Sequence, residues 1–216
     1  MPFGFGRKKE PPPAAAGTEA AEADARGPRS ITFHGLTEEW RLRGTMAITG
    51  RLLDTLNKRE AIGLSDVVWA PIDGSAPFEP APGIKSIDPY DLIVVIAGSD
   101  TLAAQEVDER AAHRIHKISF DVALQAPPFR VVGRVQLHPG SEPDGLLERS
   151  SHMFVAVTTP AIWLGSSEIE MGADVDAALV NRFYLRGVEQ VDLATGERHQ
   201  RLPGTPLGGT NWRERS

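Results

Sequence analysis

Hydrophobic and polar residues alternate in several stretches between residues 29 and 194. In KISFDVAL (residues 117–124), Ile118, Phe120, Val122 and Leu124 are separated by Lys117, Ser119 and Asp121. A period of two predicts a β-strand with one buried face. RGTMAITGRL, FRVVGRVQL, MFVAVTT and DLIVVIAG are rich in β-branched residues and are typical of strands. The chain is therefore predicted to be mainly β.

The predicted strands fall into two copies of one pattern. The copies share four ordered anchors: SITFHG (30–35) with KISFDV (117–122), ITGRL (48–52) with VVGRV (131–135), residues 55–64 with 146–155 followed by a tryptophan, and SIDPYDLIVVI (86–96) with LVNRFYLRGVE (179–189). Each copy has the length of a small SH3-like or Sm-like barrel. We expect two tandem small barrels or half-barrels, at residues 29–98 and 115–194, with pseudo-two-fold symmetry.

The remaining segments have different compositions. Residues 99–114 contain neither glycine nor proline and open on Ser99, a candidate N-cap, which predicts one connecting helix. A second helical turn is expected at LLDTLN (52–57), which has fair helix propensity. Residues 1–28 and 195–216 are rich in proline, glycine, alanine and charge, which predicts disordered N-terminal and C-terminal tails.

Composition restricts the function classes. The chain has no cysteine, which excludes disulfides, thiolate metal sites and thiol nucleophiles. Its net charge of −6 disfavours nucleic-acid binding. The longest apolar run, LIVVIA (92–97), is much shorter than a transmembrane helix, and the basic start lacks the apolar stretch of a secretory signal. We expect a cytoplasmic protein, and its alanine, arginine and glycine content is typical of bacteria.

One short element resembles a known family. GRLLDTLN, with Arg51, Leu52, Asp54, Leu56 and Asn57, resembles an uncharacterised family of bacterial small β-domains in which a G-[RK] strand precedes R-[LI]-x-D-x-L-N. The resemblance covers about 25 residues. In the second copy a glutamate follows Leu147 where the motif has asparagine. The resemblance implies a small β-domain, and it implies no known activity or catalytic residues.

The repeat suggests a ligand site. Arg51 and Arg134 each follow a glycine in one anchor, and symmetric guanidinium groups are able to grip a phosphate or carboxylate through paired hydrogen bonds. Asp54 and Asn57, three residues apart, are further candidate ligand-binding residues. The alternative is structural: arginines paired with nearby acids, and short polar side chains capping turns.

A metal site is a weaker hypothesis. His113 and His116 are spaced to share one metal on a helix face, but a zinc site needs further ligands. The alternative is that they are solvated histidines at a helix end. Trp69 and Trp163, which follow the third anchor, are candidate stacking platforms or, more simply, core residues. No cofactor-binding motif and no catalytic motif is present.

These observations favour a non-enzymatic intracellular binding or scaffold protein that binds protein partners or self-associates through strand edges. Two alternatives remain: a small-ligand or nucleotide sensor that uses Arg51 and Arg134, and an Sm-like RNA binder, which the acidic charge disfavours. The partner and the oligomeric state are left open by the sequence.

Overall fold

The computed structural model describes residues 28–98, 101, 117–148, 152–172 and 174–193, and these form a mainly β structure, as predicted. The predicted connecting helix at 99–114 and both predicted tails lie outside these residues, apart from Pro28 and Thr101. The predicted turn of helix at residues 52–57 is present as α1 (Leu52–Asn57). Three single 3₁₀ turns lie at Pro89–Asp91, Pro143–Leu147 and Arg182–Tyr184.

The strands are, in chain order, β1 (Arg29–Leu36), β2 (Trp40–Ile48), β3 (Ile62–Gly63), β4 (Ser65–Pro71), β5 (Glu79–Pro80), β6 (Ser86–Ile87), β7 (Val94–Gly98), β8 (Ile118–Ala126), β9 (Phe129–Leu137), β10 (Phe154–Leu164), β11 (Ser167–Glu168), β12 (Val175–Asn181) and β13 (Gly187–Gln190).

Eleven of the described strands form one antiparallel sheet, in the order β13-β8-β9-β10-β12-β7-β1-β2-β4-β5, with β11 paired to β10. A separate ladder joins β3 to β6. Because the sheet is open, the described residues do not form two closed small barrels, which was one of the two forms expected; the other was a pair of half-barrels. The two halves, residues 28–98 and 117–193, are continuous with each other through the ladder between β7 and β12.

That ladder, the seam between the halves, is made of buried apolar residues. Val94 pairs with Val180, Val95 with Leu179 and Ile96 with Ala178, and all six side chains are buried. Both neighbours of the seam, β1 and β10, are also antiparallel to it. Since both faces are covered, LIVVIA has no polar alternation, as is typical of a fully buried strand.

Two hydrophobic cores lie on opposite faces of the sheet. The first contains Phe33, Leu42 and Met46 of the first half, together with Phe154 and Leu179 of the second. The second core is built mainly from β8, β9 and β10, with additional side chains from Leu36, Val94 and Ile96. Successive side chains of a strand point to opposite faces, so β7 and β12 each supply residues to both cores. Each half therefore completes the core of the other.

A glycine in each half lies against a bulged neighbouring strand. A Cβ on Gly44 would approach Ser65 O to 3.0 Å, and one on Gly133 would approach Thr158 O to 2.8 Å and Val157 Cγ1 to 2.6 Å. The strands opposite shift register there. Each bulge contains a non-glycine residue with positive φ, Asp66 at 51° and Thr159 at 46°. Glycine in a strand interior often marks such a close backbone approach.

Asn181 is a fully buried polar side chain at the end of the seam. Its Oδ1 accepts from the Phe183 N–H at 3.0 Å, while its Nδ2 donates to the carbonyls of Leu92 at 2.8 Å and Pro89 at 3.3 Å. In the first half, Asp88 Oδ1 accepts from the Tyr90 N–H at 2.9 Å in the same way. Asn181 thus ties the two 3₁₀ turns, one from each half, to each other.

Gly133→Ala is expected to lower the free energy of unfolding by about 1–3 kcal/mol, because the new methyl overlaps backbone and a buried valine. Gly63→Ala is the control, since a Cβ there meets nothing within 4 Å. Urea denaturation of both variants measures the difference. Equal stability of the two would show that Gly133 has room for a side chain.

Asn181→Asp is expected to cost about 3 kcal/mol or more, because it replaces two donated hydrogen bonds with a buried charge facing two carbonyls. Asp88→Asn is the matched control and is expected to be nearly neutral, since asparagine and aspartate cap equally well. Thermal unfolding of both variants is the measurement. A neutral Asn181→Asp variant would contradict the assigned role of the side-chain amide.

Candidate functional site

The predicted residues Arg51, Asp54 and Asn57 lie at or within α1. Arg51 is the N-cap residue, and its carbonyl accepts hydrogen bonds from the Thr55 N–H and Oγ1, both at 3.1 Å. Asp54 is exposed. Leu52 and Leu56, one turn apart, are fully buried in the first core and orient the helix. Asp54 therefore faces solvent.

Asn57 has a structural role between the halves. Its Oδ1 accepts from the Phe154 N–H at 2.8 Å, and its Nδ2 donates to the Phe154 carbonyl at 3.4 Å. The amide side chain therefore pairs with the first residue of β10 as a neighbouring strand would. Both ends of its amide are engaged in this pair of bonds, which indicates a structural role for Asn57 between the halves.

Arg134 lies in the middle of β9, on an exposed part of the sheet. Its Nε donates to Asp121 Oδ1 on β8 at 2.8 Å, and this contact raises the pKa of Arg134. A solvent-open depression of about 320 Å³ is lined there by Ser119, Phe120, Asp121, Arg134, Gln190 and Val191. An anion entering it would compete with a carboxylate already bound to the guanidinium.

The expected equivalence of Arg51 and Arg134 is wrong, since one precedes a helix and the other lies within a strand. Gly44, and not Gly50, lies opposite a bulge as Gly133 does. Gly50 follows the end of β2. Short Gly-Arg segments look alike in sequence, but only the strand register decides which glycines correspond.

The two tryptophans also occupy different environments. Trp69 is paired with Leu42 and stacks on Trp40, with ring centroids 4.4 Å apart. Trp163 is paired instead with Arg130. A shift of one residue turns a side chain to the other face of a sheet, so the two indoles do not correspond. Trp69 packs against the first core.

His113 and His116 lie outside the described residues. Within the ranges that the model describes, no three His, Asp or Glu side chains lie close enough to hold a metal ion. Likewise, no helix in those ranges is long and apolar enough to span a membrane.

A cluster of two arginines and a phenylalanine, Arg41, Arg43 and Phe78, lies on the face of β2 opposite the first core. The guanidinium carbons of Arg43 and Arg41 lie 4.4 Å and 5.6 Å from the Phe78 ring centroid. Arg41 Nε donates to the Pro71 carbonyl at 3.2 Å. Among the described residues, neither arginine forms an ion pair. The electron-rich ring face orients both cations without neutralising them.

His34 borders this cluster on β1. It is paired with Arg43 across the ladder, and its Nε2 is buried with no hydrogen-bond partner in the described part of the chain. Burial lowers the pKa of His34 from 6.5 to about 4, and the positive charges of Arg43 and Arg41 contribute to the same shift. No carboxylate is among the causes of this shift.

Asp73 carries a carboxylate that interacts electrostatically with Arg41. Hydrogen bonds from Ser75 are the main cause that lowers the pKa of Asp73, and Arg41 contributes least. The Asp73 Oδ1 accepts from the Ser75 N–H at 2.9 Å. This carboxylate is therefore directed mainly into its own turn.

The cluster was not predicted, although the sequence indicates that its two arginines lie on the same face of a strand. WRLR (40–43) alternates, so Arg41 and Arg43 must share one face of a strand. Phe78 and His34 are distant in sequence and reach the arginines only through the ladders β4–β5 and β1–β2. The alternation of residues along β2 therefore predicts that the two arginines lie together. The position of the phenylalanine ring beneath them is decided only by the tertiary structure.

Another arginine, Arg182, is buried and stabilises the fold. Its guanidinium donates to the carbonyls of Leu146 at 2.8 Å and Gly145 at 2.9 Å, and also to those of Glu148 and His152. Burial lowers the pKa of Arg182, and the charge of Glu148 opposes this effect. Arg182 thus holds the segment before β10 and is not available to a ligand.

No family model, curated protein or solved structure matches this chain. Of the arginines discussed, the two in the arginine–phenylalanine cluster are the ones held in place without a carboxylate or a set of carbonyls around them.

Stability is expected to fall as the pH drops from about 6.5 to about 4, because the folded state disfavours protonation of His34 while the unfolded chain accepts the proton in that range. The full effect is about 3 kcal/mol. Unfolding measured against pH for the native chain and for His34→Gln checks this. The variant should show a flatter profile, and superimposable profiles would contradict the role of His34.

Proposed function

We propose that this protein is a non-enzymatic binding protein that takes an acidic segment of a partner protein on the arginine–phenylalanine cluster. The observation that carries the proposal is two guanidinium groups held over one ring with no ion-pair partner in the described residues. Guanidinium groups bind carboxylates through paired hydrogen bonds, and a fixed orientation reduces the entropy lost on binding.

The surroundings of the cluster support an anionic partner. His34 is kept uncharged partly by Arg41 and Arg43, so the local field is positive on a chain whose net charge is −6. A local patch opposite in sign to the rest of the surface steers partners of the complementary sign to one place. A short acidic peptide is able to contact this patch alone, whereas an extended phosphate backbone would also lie against the negatively charged rest of the surface.

The sensor hypothesis based on Arg51 and Arg134 receives less support. Arg134 is already paired with Asp121 at 2.8 Å. The RNA-binding hypothesis is disfavoured by charge, and the scaffold hypothesis is retained in the form of an acidic partner. A cytoplasmic location in a bacterium remains part of this proposal, on composition alone.

The proposal includes a duplicated β-unit. Supporting it, both halves have the same strand order, β7-β1-β2-β4 and β13-β8-β9-β10. Gly35 pairs with Leu42 and Val95, as Leu124 pairs with Val131 and Val188. From one unit to the next, corresponding strands run in opposite directions. Their buried side chains also point to opposite faces of the sheet. Two units related in this way follow a screw-like relation, and not the simple pseudo-two-fold symmetry expected from the sequence.

The units differ at the cluster, which supports a specific role for the first. In the matched register, Arg130 takes the place of Arg41 and Val132 that of Arg43. The second unit therefore carries one arginine where the first carries two. This difference supplies a control residue within the same chain.

Isothermal titration of the full chain with a short polyglutamate peptide is expected to show binding that weakens with added salt. The double variant Arg41→Gln, Arg43→Gln should weaken it about tenfold or more, because two charge-assisted contacts are lost. Arg130→Gln should leave the affinity unchanged. A double variant that binds as tightly as the native chain would overturn the proposal.

Two further titrations define the chemistry. Replacing both arginines by lysine keeps the charge but removes the planar fork, so an affinity between those of the native chain and the glutamine variant is expected. Inorganic pyrophosphate tests the phosphate alternative. Tight pyrophosphate binding without polyglutamate binding would contradict an acidic protein segment as the partner.

A further inference from the structure

The seam between the halves joins two strands that occupy different positions in their own halves. On one side is β7, which is otherwise paired with β1, and on the other is β12, which is otherwise paired with β10. In the proposed duplication, β13 corresponds to β7 and β6 corresponds to β12. The first correspondence follows from the matching pairs Leu36–Val94 and Gln125–Gly187. The second follows from the matching pairs Ile62–Ile87 and Val155–Val180.

The counterparts of the seam strands are edges in this chain. Within the described residues, β6 is paired only with β3 and β13 only with β8. Lys85 and Ser86 are exposed, and the four residues of β13 are half-buried. An edge strand presents backbone N–H and C=O groups that another strand is able to pair with.

We propose that a second copy of this chain docks here, with β13 of one copy pairing with β6 of the next as β7 pairs with β12 within the chain. The proposal depends on the duplicated unit and is independent of the arginine–phenylalanine cluster. The partner is a second copy of the chain, because the edge that complements β13 is β6 of the same sequence.

If β13 and β6 of two copies pair in the register that β7 and β12 have within the chain, the side chains that face each other are complementary. Within the chain, Ile96 is opposite Ala178. The same register puts Glu189 of one copy opposite Lys85 of the next, with Val188 opposite Ser86. Opposite charges directly across an antiparallel pair are stabilising, and like charges there are destabilising. The buried apolar pair of the internal seam is thus replaced by a charged pair suited to a contact that forms and separates.

The contact uses different edges on the two copies, so every copy that is added presents another β13 or β6 edge. Contacts of this heterologous type form rings if the rotation closes and open chains if it does not. The screw-like relation between the units carries the sheet forward and favours an open chain.

Sedimentation of the full-length protein at low salt is expected to show an average mass that rises with concentration beyond that of a dimer. Lys85→Glu and Glu189→Lys should each weaken self-association about tenfold, because each places like charges opposite each other. Far-ultraviolet circular dichroism checks that both variants fold. A native chain that stays monomeric at every concentration would overturn the proposal.

Mixing the two single variants is the decisive step. In a chain where the variants alternate, one junction sets the glutamate introduced at position 85 against the lysine introduced at position 189. The next junction has the native pair of Lys85 and Glu189, so every junction joins opposite charges. An equimolar mixture should therefore associate as the native chain does.

Two outcomes would refute this register. One is a mixture that associates no better than the separate variants, and the other is a native protein that stops at a dimer. Polyglutamate titration of the same two variants should give the native affinity, because neither substitution touches the arginine–phenylalanine cluster. That result separates this proposal from the proposed ligand site.

Discussion

The antiparallel pairing of β7 with β12 is the constraint on which the rest of the structure depends. These strands are buried on both faces, so their backbone N–H and C=O groups have no access to water and must bond to each other. Asn181 ends the seam by donating to the carbonyls of Pro89 and Leu92, at the two ends of the 3₁₀ turn at residues 89–91. Because both strands supply side chains to both cores, neither half completes its interior alone.

The different roles of the two faces follow from the same seam. Alternate residues of β7 point into the first and second cores, so the two cores lie on opposite sides of one sheet. The outer face of each half is consequently the continuation of the inner face of the other. Arg41 and Arg43 lie where the first half turns its outer face to solvent, next to His34, whose Nε2 is buried without a partner in the described part of the chain.

Shared geometry and divergent chemistry characterise the two halves. Gly44 and Gly133 both lie against bulges, and Asp88 and Asn181 both cap a 3₁₀ turn. These positions are dictated by backbone geometry, which tolerates few residue types. The arginine–phenylalanine cluster has no such counterpart in the described residues, because outer-face positions are free to vary. Binding to an acidic segment and self-association, as proposed, therefore use different parts of the molecule.

Alternation along the chain was sufficient to identify a mainly β protein, because a period of two follows from strand geometry alone. The helical turn at LLDTLN was also readable, since its propensity agrees with two leucines at core spacing. The strand register was not predictable from the sequence, because the short Gly-Arg and tryptophan segments of the two halves look alike whichever of them are aligned. Only the tertiary structure decided that Gly44 and Gly133 both lie opposite bulges, that the sheet stays open, and that Phe78 and His34 join the arginines, because these depend on pairing between residues distant in the chain.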